Sequence, residues 1–131
     1  METKKIWDFK DLEGRKIKDV AKSDEHVEII TEEGISFDLF HDKDCCEDVG
    51  VEEIIGGELT ELIDETVVEA RKESGQLLPP QNEYDASYTW TFYIIRTNKI
   101  SLTIRFYGTS NGYYSESVDC HVTVKKKETK Q

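Results

Sequence analysis

The sequence has few of the residues that characterise disulfide-rich and membrane proteins. Only three of its 131 residues are cysteine, two of those are adjacent, and only two residues are proline. An odd, partly adjacent set of cysteines does not make a disulfide framework, so we expect a reducing compartment, the cytoplasm. No stretch approaches the roughly 18 consecutive apolar residues of a membrane span, and the first residues lack the apolar core of a signal peptide. We therefore expect no contact with a membrane.

Positive charge is also scarce. The sequence has 17 basic and 28 acidic residues, and its formal net charge is −11. The imbalance is concentrated between His41 and Ser74, where twelve acids accompany three bases. Such a surface repels phosphates, which argues against direct binding of nucleic acid. It is compatible with an acidic decoy that imitates nucleic acid towards a basic protein, although many small domains are acidic for solubility alone.

The length predicts one domain, residues 1–131, with a single hydrophobic core. Its first 14 residues carry four apolar side chains and end at a glycine, so we interpret them as a short helical turn or docking segment. Three strands are predicted next, over residues 15–22, 26–32 and 35–41. The third alternates apolar and polar residues, and a tight turn at Gly34 precedes it, which predicts an antiparallel meander.

The middle of the chain mixes short elements. The sequence predicts a short strand over residues 49–55, a short helix over 58–64, and a strand over 66–72 for which a continued helix is the alternative. Residues 73–86 contain a glycine, both prolines and several polar side chains, which predicts a loop. Loops longer than about 12 residues are often functional or mobile.

The C-terminal part, residues 87–124, is the longest β-rich stretch. Its first arm is bulky on both faces, which is typical of a central strand covered on both sides. A second arm forms a hairpin with the first, and Asn111-Gly112 then predicts a further hairpin to a last arm. In that arm Cys120 alternates with apolar residues of the core, and His121 points to the surface. The lysine-rich tail, residues 125–131, is expected to fray.

These elements predict an α+β fold in which β dominates. We expect a bent antiparallel sheet, or a small barrel-like sandwich, of about seven or eight strands with one short helix. Alternating apolar positions supply the predicted core: Ile17, Val27, Ile29, Phe37, Leu39, Leu59, Leu62, Trp90, Phe92, Leu102, Ile104, Val118 and Val122.

The first polar cluster follows the third predicted strand and comprises His41, Asp44, Cys45, Cys46 and Glu47. All five side chains can ligate zinc, but structural zinc sites take their ligands as spaced pairs, so we expect no metal. A catalytic thiolate would need a nearby cation, whereas the neighbouring acids favour the protonated thiol. We instead interpret this cluster as one side of a ligand site.

The second polar cluster surrounds the Asn-Gly turn. It contains more hydrogen-bonding side chains than a turn requires, and Arg105 on the preceding strand adds a cation. Tyrosine, serine and asparagine together suit a base, a sugar or a peptide edge, and arginine suits a phosphate. We expect both clusters to line one pocket, with side chains about 6 to 8 Å apart. The predicted ligand-binding residues here are Arg105, Ser110, Asn111, Tyr113, Tyr114, Ser115 and Glu116.

These motifs resemble an uncharacterised family of small proteins from phages and prophages. The resemblance rests on HDKDCCEDV, VEEIIGGELTELI, SYTWTFY and YGTSNGYYSESV, and it covers roughly residues 12–120. It implies a phage-related origin and one compact domain that contains both polar clusters. It implies no established activity.

Three functional hypotheses follow from the residues and the resemblance. The preferred one is a non-enzymatic binding protein in the host cytoplasm that counters host antiphage defence, without a cofactor. Its partner would be a small nucleotide-like signal that it sequesters or a host defence protein that it blocks. The alternatives are a cysteine- or metal-dependent enzyme centred on His41, Cys45 and Cys46, and the acidic decoy. Exposed strand edges can pair with a second copy of the chain, so a homodimer is a further alternative.

Overall fold

The computed structural model describes residues 7–112 and 115–124 as eight strands and two single-turn 3-10 helices. Tyr113, Tyr114, the first six residues of the predicted docking segment and the lysine-rich tail lie outside the described residues. The first 3-10 helix is Phe9–Leu12 and the second is Leu59–Leu62. The strands are β1 Ile17–Lys22, β2 Val27–Thr31, β3 Ile35–Phe40, β4 Asp48–Ile55, β5 Glu69–Gly75, β6 Ser87–Arg96, β7 Ser101–Ser110 and β8 Asp119–Val124.

The strands form two antiparallel sheets of four that do not close into a barrel. The first has the order β1-β2-β3-β8 and the second β4-β7-β6-β5. The β-dominant sandwich and the β1–β3 meander are therefore confirmed. The predicted helix over 58–64 is only the four-residue 3-10 helix. The chain forms a strand here rather than a continued helix, but β5 begins at Glu69, three residues later than the predicted strand over 66–72, and because it extends to Gly75 the long loop covers residues 76–86.

The predicted hairpin between the last two arms is wrong. Strand β7 already pairs with β4 on one side and with β6 on the other, so neither edge is free for β8. The chain after Asn111-Gly112 instead crosses to the other sheet, where β8 pairs with β3 from Phe40↔Asp119 to Ile35↔Val124. This crossover places residues 115–118 beside the chain that follows β3.

One core lies between the sheets and takes alternate residues from both. Most predicted core residues belong to it, among them Phe37, Leu39, Leu102 and Ile104, all fully buried. Burying each such side chain contributes about 1.5 to 3 kcal/mol to folding before entropy is counted. The alternation within each strand thus holds the sandwich together.

Of the two β6 residues predicted for the core, Trp90 is buried, at 5% exposed, but on the outer face of the sheet, and Phe92 is only half-buried and lies outside the core. The inward face of β6 is Thr91, Tyr93 and Ile95, and the Tyr93 hydroxyl donates to the Val118 carbonyl at 2.6 Å. A strand that is bulky on both faces leaves the choice of face to its neighbours. Trp90 lies on the outer face, where its indole N–H donates to the Pro79 carbonyl of the long loop at 3.1 Å.

Candidate functional site

The first polar cluster is built around a buried carboxylate, that of Glu47. Its side chain is completely inaccessible and sits just before β4. One oxygen accepts the Asp44 N–H at 2.8 Å and lies 2.8 Å from His41 Nε2, and the other accepts the Cys45 N–H at 2.8 Å. These contacts close the segment 41–47 into a compact loop. Glu47 is thus a buried structural centre, and both of its carboxylate oxygens are engaged in hydrogen bonds.

Glu47 and His41 form a buried ion pair. Burial acts to raise the pKa of Glu47, but the hydrogen bonds from the Asp44 amide, the His41 ring and the Cys45 amide outweigh it and hold the pKa at about 2. For His41, burial acts to lower the pKa, and contact with Glu47 and with the Ser117 carbonyl reverses that effect, so its pKa is raised. The two charges of the pair are therefore buried inside the fold and are not exposed to a ligand.

The two adjacent cysteines, Cys45 and Cys46, are joined by a disulfide and both are exposed. They lie in an irregular bend between β3 and β4, not on a strand. The bond links neighbouring residues and ties no distant segments together, so it is no disulfide framework. Cys120 is the free cysteine, and burial raises the pKa of its thiol to about 12. At neutral pH that thiol is protonated and a poor nucleophile.

The second polar cluster is built around Glu116, which is 6% exposed. Its carboxylate accepts hydrogen bonds from the hydroxyls of Ser87 and Ser110, and from Thr89 at 2.9 Å. The backbone of the same residue lies so close to Gly108 that a Cβ there would be 2.4 Å from the Glu116 carbonyl oxygen. Only glycine fits such an approach. Three hydroxyl groups and a glycine thus hold the crossover against β6 and β7.

The structure brings parts of the two clusters together. His41 Nδ1 lies 2.8 Å from the carbonyl oxygen of Ser117, the residue after Glu116. Ser115 also belongs to this segment, where its hydroxyl is 3.1 Å from that of Ser117. Ser110 joins the network through Glu116, and Asn111 is exposed in the turn that follows.

Arg105 is not brought to these clusters. It alternates with the inward residues Ile104 and Phe106, so its side chain lies on the outer face of the second sheet. There it contacts Glu53 at 3.2 Å, and its guanidinium lies 5.2 Å from the centre of the Phe92 ring. No group of three or more His, Cys, Asp or Glu residues within 7–112 and 115–124 is arranged to hold a metal ion.

A separate cavity of about 540 Å³ opens between the first 3-10 helix, the edge strand β5, the neighbouring β6 and the start of β8. Its apolar lining comes from Phe9, Ala70, Tyr93 and the half-buried Cys120. Its polar lining residues are Asp8, Lys10, Arg71, Lys72 and Asp119. Three of these five are cations, although the chain as a whole is acidic. We call this the β5–β8 cavity.

The cations of the β5–β8 cavity are held near it by weak surface ion pairs. Lys72 Nζ lies 3.5 Å from Asp119 and 5.7 Å from the centre of the Tyr93 ring, and Lys10 pairs with Glu13. Exposed pairs of this kind contribute only about 0 to 1 kcal/mol, so an anionic ligand can displace the carboxylates at low cost. Sequence reasoning missed this cavity. Its one signal was the small Ala70 followed directly by two cations, Arg71 and Lys72, on β5.

Most of the chain matches one protein family. Residues 10–120 match the family described as a domain of unknown function, DUF7448. The chain belongs to the DUF7448 family. The DUF7448 domain spans β1 to β7, both carboxylate clusters and the first residues of β8, close to the range from which the resemblance was drawn. The chain matches no curated protein and no solved structure. Within the described residues, no helix of the DUF7448 domain is long and apolar enough to cross a membrane.

Proposed function

We propose that this protein is a non-enzymatic binding protein whose β5–β8 cavity takes a small, nucleotide-like anion. The observation that carries the proposal is the combination of an apolar floor with a polar lining in which three cations, Lys10, Arg71 and Lys72, outnumber two carboxylates. Ligand sites are typically concave and mostly apolar, with a few polar groups that fix orientation. The apolar lining can pack against a planar or apolar part of the ligand, and the cations can bind its phosphate or carboxylate.

The chemical state of the cavity supports binding rather than catalysis. Burial raises the pKa of the Tyr93 hydroxyl, which donates to the Val118 carbonyl and is therefore engaged inside the fold. The Cys120 thiol is protonated at neutral pH for the same reason. The cavity thus offers surface and charge but no activated group.

The identity proposed for the ligand rests on the resemblance to phage proteins. In that setting the ligand is a nucleotide-like signal of host antiphage defence, and the protein removes it by stoichiometric sequestration. A host defence protein blocked by direct contact is the alternative partner. Sequestration requires only tight binding and slow release, and contact of the ligand with the apolar floor favours both because it lowers the dissociation rate.

The proposal is tested with a panel of mono-, di- and cyclic nucleotides by isothermal titration calorimetry. The double variant Arg71→Ala/Lys72→Ala (the lining variant) removes two of the three cations, and Lys18→Ala/Lys22→Ala is the matched control on exposed positions of β1. We expect the lining variant to weaken binding by about tenfold or more, the effect of one lost charge-assisted hydrogen bond. The control should bind as the wild type does.

Native mass spectrometry of protein purified from cells with an active defence identifies the natural partner. A bound anion of small mass, absent from the lining variant, supports the proposal. Equal weakening in both double variants, or a bound protein in place of a small molecule, would contradict it.

A further inference from the structure

The exposed pair Cys45–Cys46 lies within two residues of Glu47, the most buried carboxylate among residues 7–112 and 115–124. The amides of Asp44 and Cys45 both donate to the Glu47 carboxylate, and Cys45 is itself one of the two disulfide-bonded residues. Both sulfurs belong to exposed residues, so a reductant in solution can reach them. The chemistry of this pair and the position of Glu47 are therefore physically connected.

We propose that Cys45–Cys46 is a reversible redox site for dithiol reductants, and that its state determines how firmly the 41–47 loop holds Glu47. In the reaction, a thiolate of the reductant attacks one sulfur and breaks the Cys45–Cys46 bond to give a mixed disulfide. The second thiol of the reductant then displaces the cysteine. Two electrons and two protons pass to the pair, which becomes two thiols, and the reductant becomes a disulfide.

The coupling follows from the backbone. A disulfide between adjacent residues closes a small ring over one peptide unit and restricts the dihedral angles on both sides of it. The restricted angles are ψ of Cys45 and φ of Cys46, and both lie on the backbone between the Cys45 N–H and Glu47, whose carboxylate accepts it. Once the ring is open, the two side chains rotate independently and the amide is free to leave the carboxylate. Reduction thus loosens one of the contacts that close the loop.

Reduction of the disulfide also affects the crossover before β8, because His41 contacts both Glu47 and Ser117. Its ring lies between Glu47 and the Ser117 carbonyl, so a displaced Glu47 weakens the interaction that keeps the imidazole charged. We therefore expect reduction to lower the pKa of His41 and to increase opening of residues 115–118. Glu116, held by three separate hydroxyls, should keep its position.

The experiment compares the whole protein in oxidised and reduced dithiothreitol. Intact mass should differ by about 2 Da between the two states, because one disulfide gains two hydrogens. Hydrogen exchange at the Asp44 and Cys45 amides should be about tenfold faster after reduction, the factor that corresponds to one typical hydrogen bond. Nuclear magnetic resonance of the His41 ring gives its pKa in both states.

Two variants separate this site from other effects. Cys45→Ser/Cys46→Ser should show fast exchange in both conditions, and Cys120→Ser should respond as the wild type does. Absence of the mass change under oxidising conditions would overturn the proposal. So would a mass change with the same amide exchange and the same His41 pKa in both states.

Discussion

His41 Nδ1 lies 2.8 Å from the carbonyl oxygen of Ser117, although 76 residues separate them in the chain. The other ring nitrogen is 2.8 Å from the Glu47 carboxylate. Since a carbonyl and a carboxylate both accept, the ring satisfies both contacts only when both nitrogens carry protons. The imidazolium of His41 thus connects the chain after β3 to the crossover before β8.

The first prediction is a stability maximum from the His41–Glu47 pair in mildly acidic solution. The folded pKa of Glu47, about 2, is below its ordinary value of 4.5, so its contribution is complete above pH 4.5 and is lost as the pH falls towards 2. The pKa of His41 is raised above 6.5, so its contribution is complete below that pH and is lost as the pH rises through the folded value. Urea unfolding at a series of pH values measures both losses of stability, which we call the lower limb (towards pH 2) and the upper limb (above pH 6.5).

A control for the upper limb is available in the same chain. His26 pairs with Asp38 at 2.9 Å, but its side chain is 45% exposed. His41→Gln should flatten the loss of stability above pH 6.5, and His26→Gln should leave it in place. An unchanged upper limb in His41→Gln would contradict the role assigned to the buried pair.

The second prediction concerns the carboxylate of Glu116. Glu116→Ala removes three hydrogen bonds and leaves three hydroxyls without their acceptor, which should cost about 3 kcal/mol of unfolding free energy. Glu52→Ala, on an exposed position of β4, should change it by less than about 0.5 kcal/mol. Chemical denaturation checks both. Similar values for the two variants would show that the Glu116 network contributes little.

The third prediction concerns the long loop 76–86. The Tyr107 hydroxyl donates to Asp85 at 2.7 Å and accepts the Gln81 N–H at 3.0 Å, and burial raises the pKa of this tyrosine to about 12. Tyr107→Phe should cost about 1 kcal/mol and increase hydrogen exchange and proteolysis within the loop. Tyr84→Phe is the control, because Tyr84 is 83% exposed. Equal protection in both variants would mean that other contacts hold the loop.

The fourth prediction concerns metal. The Glu47 carboxylate and the His41 ring already interact with each other and with the backbone, and no metal-holding group is formed within the described residues. Purified protein should therefore contain less than one zinc per chain, and chelators should leave its melting temperature unchanged. Mass spectrometry and thermal unfolding provide the measurements. A zinc ion held by each chain until it unfolds would show that a site was missed.

Local patterning was sufficient for much of the fold. Alternation in β3 and β7 correctly gave Phe37, Leu39, Leu102 and Ile104 as core, because a strand exposes successive side chains to opposite faces and only one face of each strand is apolar. Strand β6 carries large residues on both faces, so the same pattern could not choose between Trp90 and Tyr93. The turn at Gly34, with a φ of 87°, was recognisable because few other residues adopt that conformation.

The sequence alone determined a β-rich domain with two polar clusters, one before β4 and one before β8. Only the tertiary structure decided what those clusters do. Because β4 and β6 occupy both edges of β7, the last strand crosses to the other sheet, and this crossover buries Glu116 and brings Ser117 to His41. The β5–β8 cavity likewise exists only where residues distant in sequence meet. Contacts between such residues depend on strand order, which no local pattern encodes.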